Sequence, residues 1–142
     1  MITHLSASAR MAWLLFALVV LLGLTGCMAF GTYSSGTSLY IGDQVTMTLK
    51  DDTLTIIFLR VENDSRCPSD TECPAAGEAT VVIQAETPND SEEITLFAGR
   101  DRPDRVKFGV YTITLERLLP DPPPQGGVEQ SEYLASFNVT RR

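Results

Sequence analysis

Residues 133–140 read YLASFNVT, and their side chains alternate between two faces. One face carries only apolar or aromatic residues, namely Tyr133, Ala135, Phe137 and Val139. The other face holds Ser, Asn and Thr at three of its four positions. Strict alternation over this length is typical of a strand with one face in a hydrophobic core. We therefore predict a half-buried strand here, with its odd-numbered residues facing inwards.

The same period of two recurs upstream. At 45–49 three apolar residues alternate with threonines, and 53–61 reads TLTIIFLRV, whose centre is apolar on both faces. We place Asp51-Asp52 in a hairpin turn between these two strands and 53–61 in the middle of a sheet. Shorter alternations follow at 79–83, 94–96 and 111–116.

Clusters of turn-forming residues separate these runs at 88–90, 98–105 and 118–127. After Phe30 no window carries a helical apolar stripe of ten residues. Short strands punctuated by such turns predict an all-β fold, a small antiparallel β-sandwich or barrel of about six to eight strands.

The N-terminus has a different composition. Residues 11–24 form a mostly apolar run of 14 residues after Arg10, a length typical of a signal-peptide core. Roughly 20 apolar residues are needed to span a bilayer. The run ends in Leu24-Thr25-Gly26-Cys27, which resembles the bacterial lipobox. The resemblance implies transfer of diacylglycerol to the Cys27 thiol, cleavage before Cys27 and acylation of the new amine.

This resemblance also implies a division of the chain. We expect a lipoprotein signal peptide at 1–26, a flexible lipidated tether at 27–37 and the β domain at 38–142. The alternative is an uncleaved signal-anchor, because the apolar stretch continues to Phe30. With its acyl chains, the protein would be anchored on the extracytoplasmic side of a membrane. Met28 after the cysteine favours the outer membrane where a cell has two membranes, and otherwise the outer face of the cytoplasmic membrane is expected.

The charge of the mature chain limits its partners. From Cys27 onward it holds 10 Lys+Arg (11 less Arg10) and all 18 Asp+Glu, a formal charge of −8. Phosphate backbones repel such a surface, so no nucleic-acid partner is expected. The one histidine, His4, lies in the predicted signal peptide. We therefore expect no cofactor and no imidazole-based acid–base or metal chemistry.

Two cysteines remain once Cys27 is lipidated, Cys67 and Cys73. An even pair in an exported protein predicts a structural disulfide, because the envelope is oxidising. Zinc sites need four ligands, and catalytic dithiols are usually Cys-x-x-Cys. Neither pattern fits two cysteines with five residues between them.

Residues 64–79 read DSRCPSDTECPAAGEA. This segment resembles a group of uncharacterised bacterial lipoproteins and secreted domains, in which Asp-Ser-Arg-Cys-Pro precedes a second cysteine and an Ala-Gly-Glu/Asn-Ala strand start. The similarity extends over most of 45–139, but its specific motif is this segment. Ala75 stands where the group usually has Trp. The resemblance implies an envelope address and the disulfide, and it implies no reaction.

We predict that the same segment is a cross-strand connector. Arg66 is expected to pair with Asp64 or Glu78, while Asp64 and Ser65 bond to turn backbone groups. A recognition surface is the alternative role. Residues 99–105, GRDRPDR, are interpreted as an exposed hairpin tip with self-paired charges, or alternatively as an anion clamp. The candidate interaction surface combines both segments and comprises Asp64, Ser65, Arg66, Glu78, Arg100, Arg102 and Arg105.

The residues favour contact over catalysis. Carboxylate pairs occur at 51–52, 70 with 72, and 92–93, but a small sandwich rarely provides the cleft that glycosidase chemistry needs. We expect a non-enzymatic, membrane-anchored binding domain with an envelope protein or glycan as partner. The alternative is a small-ligand or calcium-binding protein, with Asp64, Asp70 and Glu72 as oxygen ligands. No metal site is assigned, because the usual calcium loop is absent from the sequence.

Overall fold

The computed structural model describes residues 32–68, 71–75, 77–99, 104–123 and 127–141. The chain divides into two units between Phe30 and Gly31, and all the described residues belong to the second. The described residues of this unit form eight strands and one short 3-10 turn at Gln130–Glu132. In chain order the strands are β1 (Tyr33–Tyr40), β2 (Gln44–Leu49), β3 (Asp52–Glu62), β4 (Ala79–Thr87), β5 (Asp90–Ala98), β6 (Asp104–Phe108), β7 (Tyr111–Leu119) and β8 (Leu134–Arg141).

The strands form two antiparallel four-stranded sheets. Sheet A has the order β1-β8-β7-β6, and sheet B has the order β2-β3-β4-β5. The all-β prediction is therefore confirmed, and the arrangement of the described strands is that of a sandwich, not a closed barrel. Among the described residues, no helix has the length and apolarity needed to cross a bilayer.

The core lies between the sheets and follows the predicted alternation. In β8 the side chains of Ala135, Phe137 and Val139 are fully buried, as the opening stretch predicts. Phe58 of the central strand β3 meets Phe137 across the core, edge to face, with ring centroids 6.1 Å apart. Such aromatic pairs contribute roughly 0.5–1.5 kcal/mol beyond the burial of their area. The prediction that 53–61 lies in the middle of a sheet is confirmed.

The predicted tether at 27–37 is wrong for its last part. Residues 33–37 belong to β1, which pairs along its whole length with β8, from Tyr33 opposite Arg141 to Tyr40 opposite Leu134. The sequence YSSGTSLY has no apolar alternation, because β1 is an edge strand that buries only Leu39. Ladder hydrogen bonds to β8, not side-chain burial, fix this strand. The sandwich domain therefore begins at Tyr33 or before, not at residue 38.

Two turn predictions are also corrected. The β2–β3 turn consists of Lys50 and Asp51, one residue earlier than predicted, with Lys50 in the left-handed region at φ 63°. The 98–105 segment is not a hairpin tip, because β5 and β6 belong to different sheets. Asp104 ties this crossover to sheet B by accepting a hydrogen bond from the Phe97 N–H at 2.9 Å.

The connections divide between the two ends of the sandwich. The short hairpin turns β2–β3, β4–β5 and β6–β7 lie at one end. The long β3–β4 and β7–β8 connections lie at the other, where β3 and β7 finish. We refer to these as the hairpin end and the connector end.

Candidate functional site: the 64–78 connector

The connector comprises residues 64–78 and links β3 to β4 at the connector end. Its two arms, one around Ser65 and one around Glu78, are joined by hydrogen bonds beyond the last β3–β4 ladder pair. The Ser65 N–H and hydroxyl both donate to the Glu78 carbonyl, each at 3.0 Å. The Glu78 N–H donates back to the Ser65 hydroxyl at 3.2 Å. Ser65 therefore supplies the backbone pairing predicted for it, and the connector starts as an extension of the sheet.

Arg66 is the residue that holds the connector to the rest of the fold. Its Nε and Nη2 donate to the two carboxylate oxygens of Asp64 at 2.9 and 2.8 Å. Nη1 donates to the Leu118 carbonyl at 2.7 Å, and Nη2 also donates to the Pro120 carbonyl at 2.9 Å. The guanidinium thus joins a bidentate carboxylate pair to the end of β7, which gives both geometric specificity and strength.

The Asp64–Arg66 pair is largely removed from water. The side chain of Asp64 is 11% exposed and that of Arg66 is 8% exposed. Burial acts to raise the pKa of Asp64, but hydrogen bonds from Arg66 and Tyr133 outweigh it, and the pKa lies below its ordinary value. The Tyr133 hydroxyl donates to Asp64 at 2.9 Å. Burial and this bond raise the pKa of Tyr133 to about 12.

Two glycines allow the connector to pack closely. A Cβ at Gly77 would lie 1.5 Å from the Ser65 carbonyl oxygen, so no side chain fits there. Gly99 has φ +98°, and its Cβ would lie 2.8 Å from the Gly77 carbonyl oxygen and 3.0 Å from Cγ of Arg66. The start of the 98–105 crossover is therefore packed against the connector.

Cys67 and Cys73 form a disulfide, as predicted. The bond closes a loop at the outer part of the connector, where residues 71–75 are exposed. Arg66 precedes the first half-cystine, so the disulfide loop begins directly after the buried ion pair.

Removing this disulfide is expected to have a moderate effect. The Cys67→Ser/Cys73→Ser variant should lose roughly 2.4 kcal/mol of unfolding free energy. Without the cross-link the unfolded chain gains conformational entropy, and for a loop of this length that gain stabilises the unfolded state by about that amount. Urea denaturation of the full chain with and without a phosphine reductant measures the loss. The double variant is its own control, since reductant should not change its midpoint. An unchanged midpoint on reduction of the wild-type chain would contradict this expectation.

The structure brings four of the predicted surface residues together. Asp64, Ser65, Arg66 and Glu78 share the connector, where the side chains of Asp64 and Arg66 bond to each other and to the fold. These two side chains have a structural role, which is the first of the two roles predicted for this segment. Arg105 lies apart on β6, exposed and opposite Thr114. Cys27, Arg100 and Arg102 lie outside the described residues.

Three sets of partners at the connector end, two for the connector and one for the end of β3, were not predicted. These are the Tyr133 hydroxyl, the carbonyl groups at the end of β7, and Gln130, whose side-chain amide bonds to both backbone groups of Val61 at 2.9 and 3.1 Å. Gln130 fills an edge of β3 that β2 does not reach. All three come from residues more than 50 positions away, so no local motif indicates them. The alternation at 133–139 does predict that Tyr133 faces inwards.

Comparison with known proteins returned no match to a family model, to a curated protein or to a solved structure. The resemblance of the 64–79 segment therefore stays a prediction, and the functional inference rests on the geometry of the chain.

Proposed function

We propose that this chain is a lipid-anchored envelope protein whose β-sandwich acts by binding and not by catalysis. The observation that carries the proposal is the Cys67–Cys73 disulfide in a partly exposed loop. Such a bond persists in oxidising compartments and is rare in the cytosol. It agrees with the export that the apolar 11–24 run and the LTGC sequence predict. Cys27 is the proposed acylation site, and it attaches the protein to the extracytoplasmic side of the membrane.

The electrostatics of the connector support a non-catalytic role. A catalytic carboxyl group usually has a pKa shifted towards neutrality by burial. Asp64, a largely buried carboxylate of the connector, has its pKa shifted the other way by Arg66 and Tyr133. It is held as an anion with its oxygens occupied, which suits a rigid support for exposed loops. The proposed partner is an envelope protein or a glycan.

The alternative is a small-ligand or calcium-binding role. The calcium version loses its first ligand, because Asp64 is bonded to Arg66 and Tyr133. Asp70 lies outside the described residues. Within the described part of the chain, no three His, Cys, Asp or Glu side chains are grouped to hold a metal ion. For the small-ligand version, the structure offers an open cleft at the hairpin end, lined by residues 52–53, 87–90 and 108–111.

The test of the anchored role is Cys27→Ala in the full chain expressed in a bacterium. We expect the variant to lose labelling by a fatty-acid analogue and to stay unprocessed, because the acceptor thiol is gone. Formaldehyde cross-linking in intact cells should give a discrete adduct with the wild-type chain and lose it with the variant. The Cys67→Ala/Cys73→Ala variant is the control and should keep its label.

Two results would overturn the proposal. Unchanged acyl labelling of the Cys27→Ala variant would remove the anchor. A wild-type chain that is labelled but forms no adduct would remove the role in binding an envelope protein, because formaldehyde joins protein amino groups and does not join a neutral glycan.

A further inference from the structure

The strands of the two sheets differ in charge. Those of sheet A carry four Lys and Arg against two Asp and Glu, a net charge of +2. Those of sheet B carry one Arg against six Asp and Glu, a net charge of −5. The chain is acidic as a whole, but most of its strand carboxylates are concentrated in one layer of the sandwich. An anionic surface is therefore repelled by sheet B and not by sheet A.

The exposed cations of sheet A lie on its outer face. Arg105 and Lys107 alternate with inward-facing residues of the edge strand β6, and both are exposed. Arg117 is exposed on β7 and lies opposite Ser136, an outward-facing residue of β8. The side chains of these three cations make no ion pair with any described residue. They are therefore available to an anion outside the chain.

The rest of this face does little to oppose an anion. Glu116, next to Arg117, is the one exposed carboxylate among the described strand residues of sheet A. Asp104 is half-buried and accepts a hydrogen bond from the Phe97 N–H of sheet B. Across β1 and β8 the outward side chains are uncharged and mainly Ser, Thr and Asn. The outer face of sheet A is thus a hydroxyl-rich surface with cations along one side.

The start of β1 brings this face close to the proposed anchor. Only residues 28–32 separate Cys27 from Tyr33, the first residue of β1. Even when fully extended, the six residue steps from Cys27 to Tyr33 span at most about 22 Å. β1 is an edge strand of sheet A, and β6 lies three strand spacings away, about 14 Å. The anchored end of the chain therefore leaves from sheet A itself, and the sheet can lie flat on the bilayer.

Tyr40 adds an amphipathic side chain to the border of this face. It lies opposite Leu134 at the connector end and is 50% exposed. Tyrosine is favoured at the headgroup level of a membrane, because its ring contacts apolar groups while its hydroxyl stays hydrated. An exposed tyrosine at this position suits contact with lipid headgroups.

Electrostatics decides which side of the tethered domain meets the lipid. A Lys or Arg close to an anionic membrane favours that position about five-fold. Three cations opposed by one carboxylate leave two net positive charges, which favour contact through sheet A about 30-fold. Contact through sheet B would instead bring its acidic strands to the same surface.

We propose that the outer face of sheet A lies on the anionic phospholipid headgroups of the membrane that anchors the chain. Arg105, Lys107 and Arg117 pair with lipid phosphates, and sheet B faces away from the bilayer. The inference rests on the proposed membrane anchoring and gives the anchored domain a defined orientation.

The test is fluorescence quenching of the full chain, purified from bacterial membranes and inserted from detergent into preformed vesicles. A fluorophore is attached to a cysteine introduced by Thr114→Cys on the outer face of sheet A, or by Thr95→Cys on sheet B. A nitroxide on the lipid headgroups is the quencher. With equal amounts of phosphatidylglycerol and phosphatidylcholine, quenching at residue 114 should exceed that at residue 95 at least about five-fold. This ratio should fall towards one in phosphatidylcholine alone, or at about 1 M salt, where charges are screened within about 3 Å.

Two double variants with the same change in net charge separate a surface contact from a general charge effect. Arg105→Gln/Lys107→Gln removes two cations from the proposed face, and the quenching ratio should fall to near one in the anionic vesicles. Lys50→Gln/Arg60→Gln removes two cations from the β2–β3 turn and from β3 of sheet B, and the ratio should not fall. All four side chains are on the surface, and the melting temperatures of the two variants check that both fold.

Equal quenching at residues 114 and 95 in the anionic vesicles overturns the proposal, and so do equal ratios for the two double variants. It is also overturned if residue 114 is unquenched in vesicles but shielded from a thiol reagent in intact cells, because the face then meets a protein or glycan. Equal quenching, with Cys27→Ala losing its acyl label, leaves the anchored role standing and the orientation wrong. Selective quenching at residue 114, with a label that survives Cys27→Ala, leaves the orientation standing and the acylation site wrong.

Discussion

Gly77→Ala is expected to destabilise the domain by at least about 3 kcal/mol. Its Cβ would lie 1.5 Å from the Ser65 carbonyl oxygen and 2.3 Å from the carbonyl carbon, so the two arms of the connector must separate. Both contacting groups are backbone, and no side-chain rotation relieves the clash. Separation breaks the three hydrogen bonds between Ser65 and Glu78, each worth roughly 1 kcal/mol.

Gly127→Ala is the matched control. A Cβ at Gly127 meets no atom within 4 Å, and its φ lies outside the left-handed region. This change should leave stability within about 0.5 kcal/mol. Thermal unfolding of the full chain, followed by circular dichroism, compares the two, and a loss of 3 kcal/mol in a domain of this size lowers the melting temperature by roughly 10 °C or more. Equal melting temperatures for the two variants would show that the connector arms are not held together as described.

The repeating apolar alternation makes most of this sandwich predictable. The core positions of β3 and β8 follow directly from it, because each strand has one face in the core. β1 is the exception, since its six residues from Tyr33 to Ser38 contain no aliphatic side chain and its pairing depends on β8, a hundred positions away. Local sequence contains no signal for such a strand.

The candidate site was predicted only as far as local contacts allow. The Asp64–Arg66 pair and the disulfide join residues close in sequence, and both were predicted from it. The bonds from Arg66 to the β7 carbonyls and from Tyr133 to Asp64 depend on how the two long connections meet at one end of the sandwich. The cleft at the other end likewise depends on three turns from separate hairpins. These features follow from topology, which period-two alternation does not specify.

The burial of Arg66 has a direct energetic consequence. Two isolated charges gain little from pairing at a surface, but removing one member of a buried pair leaves the other uncompensated. Here the side chains of Asp64 and Arg66 are 11% and 8% exposed, and the same guanidinium also satisfies two backbone carbonyl groups. The pair therefore falls in the class in which removal of one member costs roughly 3–5 kcal/mol.

Arg66→Met is accordingly expected to lose about 3–5 kcal/mol of unfolding free energy near pH 7. Arg60→Met is the control, because Arg60 also pairs with two carboxylates, Glu62 and Glu93, but its side chain is 43% exposed. Water screens that surface network, so removing Arg60 should cost much less stability than removing Arg66. Urea denaturation of both variants beside the wild-type chain measures the difference. Similar losses in the two would contradict a buried role for Arg66.

The pH dependence of the loss identifies its cause. In the wild type the pKa of Asp64 is lowered from 3.8, so its stabilisation is complete above that value and is lost as the pH falls through the lower folded-state pKa. In Arg66→Met, burial acts on Asp64 without the guanidinium and should raise the folded-state pKa above 3.8. The folded variant then binds a proton that its unfolded chain releases, so its stability rises relative to the wild type on acidification. We therefore expect the deficit in unfolding free energy of Arg66→Met relative to the wild type to narrow between about pH 6 and pH 3.5.

The double variant Asp64→Asn/Arg66→Met should recover part of this deficit at pH 7, because no charge is left buried. A deficit that stays constant with pH, and that Asp64→Asn does not reduce, would mean that Arg66 acts through packing and its carbonyl bonds alone.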